Sequence, residues 1–283
     1  MADEHELLIL PTSLDSSIIL WETRSGLIAR GRRDAASLLA RESAHKLLAE
    51  VGSGKTPGLI QLEDARAQYE RGRSYSRGEG VAKDYAQAAF WYRRSADQGY
   101  FGAQCMLGIF YNDGRGVAQD YAQAALWHRR AANQGFETSQ FCLGCLYYYG
   151  RGVTQDYLQA AIWYRKAADQ GNAPAQHGLG SLYYHGRGFK QDFTQAALWY
   201  RKAAEQGYAS AQAMLGAVYV TGKGVSEDYS EAYFWFYLAA ERETEADKVA
   251  PHQKARDSAA AMLTPSQLTG VQERIYSWKA MHR

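Results

Sequence analysis

Several features are scarce in this chain, and each scarcity excludes something. Proline occurs five times in 283 residues, so long stretches can run as uninterrupted helix. Cysteine occurs three times, as Cys105, Cys142 and Cys145, an odd number that builds no even disulfide framework. Charge of one sign is missing: 32 Lys and Arg against 30 Asp and Glu leave a formal net charge of +2. A balance that close gives no strong whole-molecule field and argues against nucleic acid as the main partner. Long hydrophobic runs are missing too. The apolar stretch 7–10 stops at Pro11, and the opening Met-Ala-Asp-Glu-His-Glu is acidic where a secretory signal is basic. No run approaches the length of a membrane span, so membrane insertion is not expected. A reducing cytoplasm is the expected compartment, with export that needs no cleaved signal left open.

What is abundant is aromatic and small. Tyr is present 21 times, Trp seven and Gly 27, and 46% of residues are hydrophobic, enough for a sizeable core. These residues recur in register. Five segments align without gaps at a period of 36, namely residues 67–102, 103–138, 139–174, 175–210 and 211–246. The fourth reads AQHGLGSLYYHGRGFKQDFTQAALWYRKAAEQGYAS.

Each half of the repeat carries its own helix signal. In the first half, positions 1, 5, 8, 9 and 12 share one face at 100° per residue. In the second repeat these are Ala103, Leu107, Phe110, Tyr111 and Gly114, a stripe that ends in a glycine stop. This is helix A. Helix B opens on Asp-x-x-Gln or Asp-x-x-Glu: Asp84/Gln87, Asp120/Gln123, Asp156/Gln159, Asp192/Gln195 and Asp228/Glu231. The pattern is a capping box in which the Asp oxygen accepts from orphan amides and the Gln or Glu reaches back. Ala88 and Ala89 permit close helix approach, Trp91 and Tyr92 supply buried area, and Gly99 ends the helix. A single helical pair cannot bury its stripe, so neighbours must stack.

Ala-Gln, Leu-Gly, Tyr, Gly-x-Gly, Asp-Tyr, Trp-Tyr and Ala-x-x-Gly recur in register across residues 67–246. This pattern resembles the Sel-one-like repeat, a relative of the tetratricopeptide repeat. The resemblance implies an all-α, right-handed α-solenoid of five 36-residue helix-turn-helix repeats with terminal caps. It also implies a concave surface lined by helix A. Proteins resembling this one act as regulators, assembly factors or secreted effectors, mostly in bacteria, and some toxin-neutralising immunity proteins are similar. Cysteine-rich members described as β-lactamases carry periodic cysteines that are missing here, so that activity is not carried over.

The ends depart from the repeat. Arg71 and Ser74 make the first helix A more polar. In the last repeat Tyr237-Leu238 replaces a basic pair, and something apolar must cover it. Thr264-Pro265-Ser266-Gln267 starts a helix whose Leu268, Val271, Ile275 and Trp278 form a stripe, so residues 247–283 read as a C-terminal helical cap. Residues 1–66 lie outside the repeat: 17–20 and 27–29, around Ser25-Gly26, suggest a short hairpin, and 34–51 a helix.

Apparent catalytic motifs reduce to simpler readings. Residues 49–56, with Lys55 and Thr56, fit a permissive phosphate loop. A helical segment precedes them instead of a strand, and Pro57-Gly58 follows, so a linker is the better reading over a nucleotide-binding enzyme. Cys142-Leu-Gly-Cys145 is a C-x-x-C inside helix A with no second pair for zinc. No cofactor, metal or catalytic residue is expected.

The recurring cations Arg115, Arg151, Arg187 and Lys223, and the pairs Arg93/Arg94, Arg129/Arg130, Arg165/Lys166 and Arg201/Lys202, read first as soluble-face and helix-end charges, second as an edge for an acidic partner. The expected partner surface is helix A positions 3, 7 and 10. Its residues include Tyr69, Arg73, Ile109, Asn112, Phe141, Tyr148, His177 and Tyr184. Two readings of these side chains stay open: anchors for a protein or peptide in the groove, or packing against adjacent helices. The leading expectation is a non-enzymatic scaffold or adaptor; the alternative is an immunity protein that neutralises a toxin, or a secreted effector.

Overall fold

A computed structural model describes residues 7–10, 18–23, 26–30, 64–242 and 246–281. The expected helix at 34–51 and the Lys55 segment lie outside the described residues. The chain divides into two compact units, Met1–Glu63 and Asp64–Arg283.

In the first unit, strands β1 (Leu7–Leu10), β2 (Ile18–Thr23) and β3 (Gly26–Arg30) form an antiparallel sheet in the order β1-β2-β3. Leu8 pairs with Leu20 across the first ladder, and Trp21 with Ile28 across the second.

The second unit is all helix among its described residues. Helices α1 (Ala65–Arg77), α3 (Phe101–Asp113), α5 (Glu137–Tyr149), α7 (Ala173–His185) and α9 (Ala209–Thr221) are the A helices. Helices α2 (Tyr85–Asp97), α4 (Tyr121–Asn133), α6 (Tyr157–Asp169), α8 (Phe193–Glu205) and α10 (Tyr229–Arg242) are the B helices. Two more follow, α11 (Ala246–Ala260) and α12 (Pro265–Met281).

Each boundary has a cause. Asp84, Asp120 and Asp156 accept from the amides of the first turn of their B helices at 2.8–3.0 Å. The reach-back half of the capping box is not how the Asp amide is satisfied. Asp120 N–H donates to the Tyr111 carbonyl at 2.9 Å, and Asp156 N–H to Tyr147 at 3.0 Å, so the preceding A helix already fills that role. The A helices end on glycines in the left-handed region, such as Gly150 at φ 66°, where a side chain would be strained.

Alanines of the B helices, including Ala88, Ala124, Ala160 and Ala196, are fully buried and let the A helices approach. Leu107, Leu143, Leu179 and Leu215 fill the A side of the core, each at or below 1% exposure. Full burial of such a side chain contributes about 1.5–3 kcal/mol.

A second lattice is polar. Gln104, Gln176 and Gln212, the second residue of their Ala-Gln pairs, and Gln140, which follows Ser139, are buried. Gln140 Nε2 donates to the Ala132 carbonyl at 3.3 Å, and its Oε1 accepts from Gln170 Nε2 at 2.8 Å. The same exchange joins Gln134 to Gln104 and Gln206 to Gln176, each at 2.8 Å. Gln134 and Gln170 also donate to the carbonyls of Gly99 and Gly135 at 3.0 Å, one repeat back. These amides are the buried polar stitching between repeats.

Candidate functional site: the face of the A helices

The late-helix cations are built into the stack. Arg93 donates to Tyr111 Oη at 2.9 Å, Arg129 to Tyr147 at 2.8 Å and Arg165 to Tyr183 at 3.0 Å, each crossing into the next repeat. Arg93 and Arg130 both lie over the Trp127 ring, at 4.9 and 4.5 Å. Arg165 and Lys202 flank Trp199 in the same way, at 4.7 and 4.3 Å. Arg93 and Arg165 thus clamp one repeat to the next, while Arg130 and Lys202 cover the tryptophan of their own helix, so these cations are not a free basic edge.

The eight side chains expected on the partner surface are distributed along α1, α3, α5 and α7, and all eight are half-buried. Tyr69 sits between Tyr92 and Tyr100, with ring centroids at 5.6 and 5.1 Å. Arg73 pairs with Glu70 at 3.1 Å, a partly exposed contact of small energetic weight. Phe141 stacks on Tyr164 at 5.8 Å. His177 lies against Tyr200 and Tyr208, and burial pushes its imidazole down to about 4. Phe141, His177 and Tyr69 thus each pack against a B-helix ring of their own repeat. Cys105, from the same set of positions, is buried at 4% exposure.

Tyr148 and Tyr184 are held from the loops. Arg187 donates to Tyr148 Oη and lies over its ring at 5.5 Å. Lys223 donates to Tyr184 Oη at 3.4 Å and lies over that ring at 5.4 Å. The loop cations of one repeat therefore order the tyrosines of the repeat before.

Ile109 and Asn112 come together at a half-open cavity of about 170 Å³ between α3 and α5. Ile109, Asn112 and His128 line it from the second repeat, and Cys142, Cys145 and Leu146 from α5. The exposed Tyr149 and Arg151 complete its wall. His128 is pushed down to about 4 by burial, so its imidazole is neutral at pH 7. Burial pushes the Cys142 and Cys145 thiols up, which favours the neutral thiol over the thiolate. Among the described residues no group of three His, Cys, Asp or Glu is placed to hold a metal ion.

Two features were missed in the sequence pattern. The glutamine lattice was signalled by the recurring Ala-Gln and by Gln98, Gln134, Gln170 and Gln206 one position before a glycine. An exposed apolar file on the B helices, Phe90, Leu126, Ile162 and Leu198 at 40–50% exposure, was signalled by one large apolar residue before each Trp. Phe234 occupies that position in the last repeat, yet it is 1% exposed because Trp278 and Arg274 of α12 lie on it.

Antiparallel helix pairs in a 36-residue register, closed by glycine turns and interlocked by rings and amides, define an α-solenoid of the tetratricopeptide class. This chain belongs to the Sel1 repeat family, whose repeat matches residues 65–100, 102–136, 138–172, 173–208 and 209–243. Among solved structures it is similar to c5321, a protective antigen of uropathogenic Escherichia coli strains with an SLR fold. The identity is 36% and the TM-score 0.62, over 70% of this chain and 46% of that one. This chain thus spans less than half the length of that protein. A Sel1 repeat protein from Oxalobacter formigenes is 31% identical with a TM-score of 0.62, over 75% of this chain and 86% of that one. The immunity protein Pa5087 from Pseudomonas aeruginosa is similar at 19% identity and a TM-score of 0.44, over 77% of this chain and 81% of that one. No curated protein sequence matches this chain.

Proposed function

We propose that this chain is a non-catalytic scaffold that holds a protein or peptide partner along the A-helix face. The observation that carries this reading is the set of ordered aromatic side chains on the A helices: Tyr148 and Tyr184 are tied down by Arg187 and Lys223, and Tyr149, 60% exposed, lines the α3–α5 cavity. Preorganised aromatic side chains beside a partly apolar hollow suit partner anchoring at low entropic cost. Burial pushes the Cys142 and Cys145 thiols up, which disfavours a thiolate nucleophile at neutral pH and fits a binding role.

The test is affinity capture from the native host with three immobilised chains: unmodified, Tyr149→Ala with Arg151→Ala, and Phe90→Ser with Leu126→Ser. A partner retained by the third chain and lost at least tenfold from the second, equivalent to about 1.4 kcal/mol, supports the A-helix face. Loss from the third alone assigns binding to the exposed file on the B helices and sinks this reading. Capture of a toxin whose activity the chain blocks would give the scaffold the particular role of an immunity protein.

A further inference from the structure

One repeat breaks a rule that the other four keep. A six-membered aromatic ring from the B helix lies over a glycine of the A helix in four repeats: Tyr92 over Gly72, Tyr164 over Gly144, Tyr200 over Gly180 and Phe236 over Gly216. A Cβ on those glycines would come within 2.9 Å of the ring, so the ring occupies the space a side chain would take. In the second repeat the ring over Gly108 is the imidazole of His128, at 2.7 Å from the same hypothetical Cβ. It takes the same seat and stops short.

The far end of the tyrosine ring has defined neighbours. Tyr164 Oη donates to Cys145 Sγ at 3.3 Å, Ser76 lies beside Tyr92, and Ser181 lies beside Tyr200. These partners are the seventh or tenth residues of their repeats. The seventh and tenth residues of the second repeat are Ile109 and Asn112, and both line the cavity with His128. The hollow therefore stands where the outer part of a phenol ring stands in the sibling repeats. At about 170 Å³ it is of ring size; a cavity of ~150 Å³ lined by apolar side chains takes up benzene. Ile109, Leu146 and the two neutral thiols offer apolar contact. Asn112 Nδ2 donates to Asp113 at 2.8 Å, which leaves its Oδ1 to accept from a hydroxyl.

We propose that the cavity between α3 and α5 is a seat for a para-substituted phenol ring, and that its occupant is a tyrosine side chain of the partner laid along the A-helix face. The seat follows from the chain's own repeats; the source of the ring rests on the scaffold reading above. His128 shortens the internal ring, the gap opens on the groove side beside Tyr149, and a partner tyrosine completes the file of rings from outside.

The two parts are tested separately. 4-Methylphenol, which is the tyrosine side chain cut at Cβ, is titrated into the full chain by calorimetry and by proton–nitrogen correlation spectra. Saturable binding with shifts confined to α3, α5 and the start of the following loop is expected. His128→Tyr fills the seat from within and should weaken that binding at least tenfold while leaving the melting temperature equal or higher. Ile109→Phe fills it from the other wall and keeps the test valid if His128→Tyr folds poorly. Cyclohexanol should bind more weakly than 4-methylphenol. No saturable binding to the unmodified chain, or equal binding to both filled variants, overturns the seat. A seat that binds 4-methylphenol, together with a captured groove partner whose affinity is unchanged by His128→Tyr, overturns the tyrosine assignment and leaves the scaffold reading standing.

Discussion

His128 and His177 are imidazoles that burial holds at about 4, well below the ordinary value near 6.5. The unfolded chain takes up protons between about pH 6.5 and about pH 4 that the folded chain refuses. Stability is therefore undiminished above about pH 6.5, falls as pH drops through that window, and levels off below it as far as these groups are concerned. Melting temperatures measured across that range should show the decline. A chain with His128→Tyr and His177→Phe should show a shallower slope, and an unchanged slope would mean that other groups carry it. Gln140 supplies a second test at this scale. Its amide both donates to Ala132 and accepts from Gln170. Gln140→Ala removes both bonds, while the Ala132 carbonyl keeps the Gly135 N–H and Gln170 keeps the Gly135 carbonyl, so the cost by urea denaturation should be about 1–3 kcal/mol, from about 0.5–1.5 kcal/mol per bond. A shift within error would mean that the lattice is not structural.

The elements owe their limits to local chemistry and their spacing to close approach. Gly152 follows α5 at φ 68°, and a Cβ there would stand 2.1 Å from the Tyr121 carbonyl carbon, at the start of α4 in the preceding repeat. Gly99, at φ 90°, has nothing within 4 Å. Left-handed backbone alone costs about 1–2 kcal/mol for a non-glycine residue. Gly99→Ala should show a penalty of that size in denaturant melts. Gly152→Ala adds a collision with main chain, and should cost more than the ~0.5–3 kcal/mol typical of a point substitution. Equal penalties would show that the loop swings clear of α4 without loss. The Gly-x-Gly signature thus joins two different demands, a helix stop and a contact between repeats.

Across the second unit, the last repeat and the two helices after it share one core. Tyr233, Phe234, Trp235, Phe236 and Leu238 of α10 are buried together with Ala259 of α11 and Val271 and Ile275 of α12. Arg274 lies 4.0 Å over the Phe234 ring and also pairs with Glu231, while Arg242 lies 4.9 Å over Trp278. The last repeat is thereby closed with the same cation–aromatic contacts that join internal repeats. Deleting residues 264–283 should expose Phe234 and lower the melting temperature, with self-association visible by light scattering. A monodisperse monomer with unchanged melting temperature would show that α12 covers nothing needed.

Periodicity, capping aspartates and stop glycines were legible in the residues because they act within about one turn of chain, where 100° spacing and backbone geometry decide the outcome. The Sel1 repeat fold follows from them. The surroundings of the side chains expected to meet a partner were not legible to the same depth. Whether Phe141, His177 or Tyr148 faces solvent depends on how far one A helix leans on the next, and that is set by contacts 18 to 39 residues apart: Arg165 to Tyr183, Arg187 to Tyr148 and Gln170 to Gly135. The substitution of His128 for tyrosine was visible as a letter in the sequence. That it opens a ring-sized hollow beside Ile109 and Asn112 was decided only by the stacking of α3 and α5, because a void belongs to the surfaces that surround it and not to any one residue.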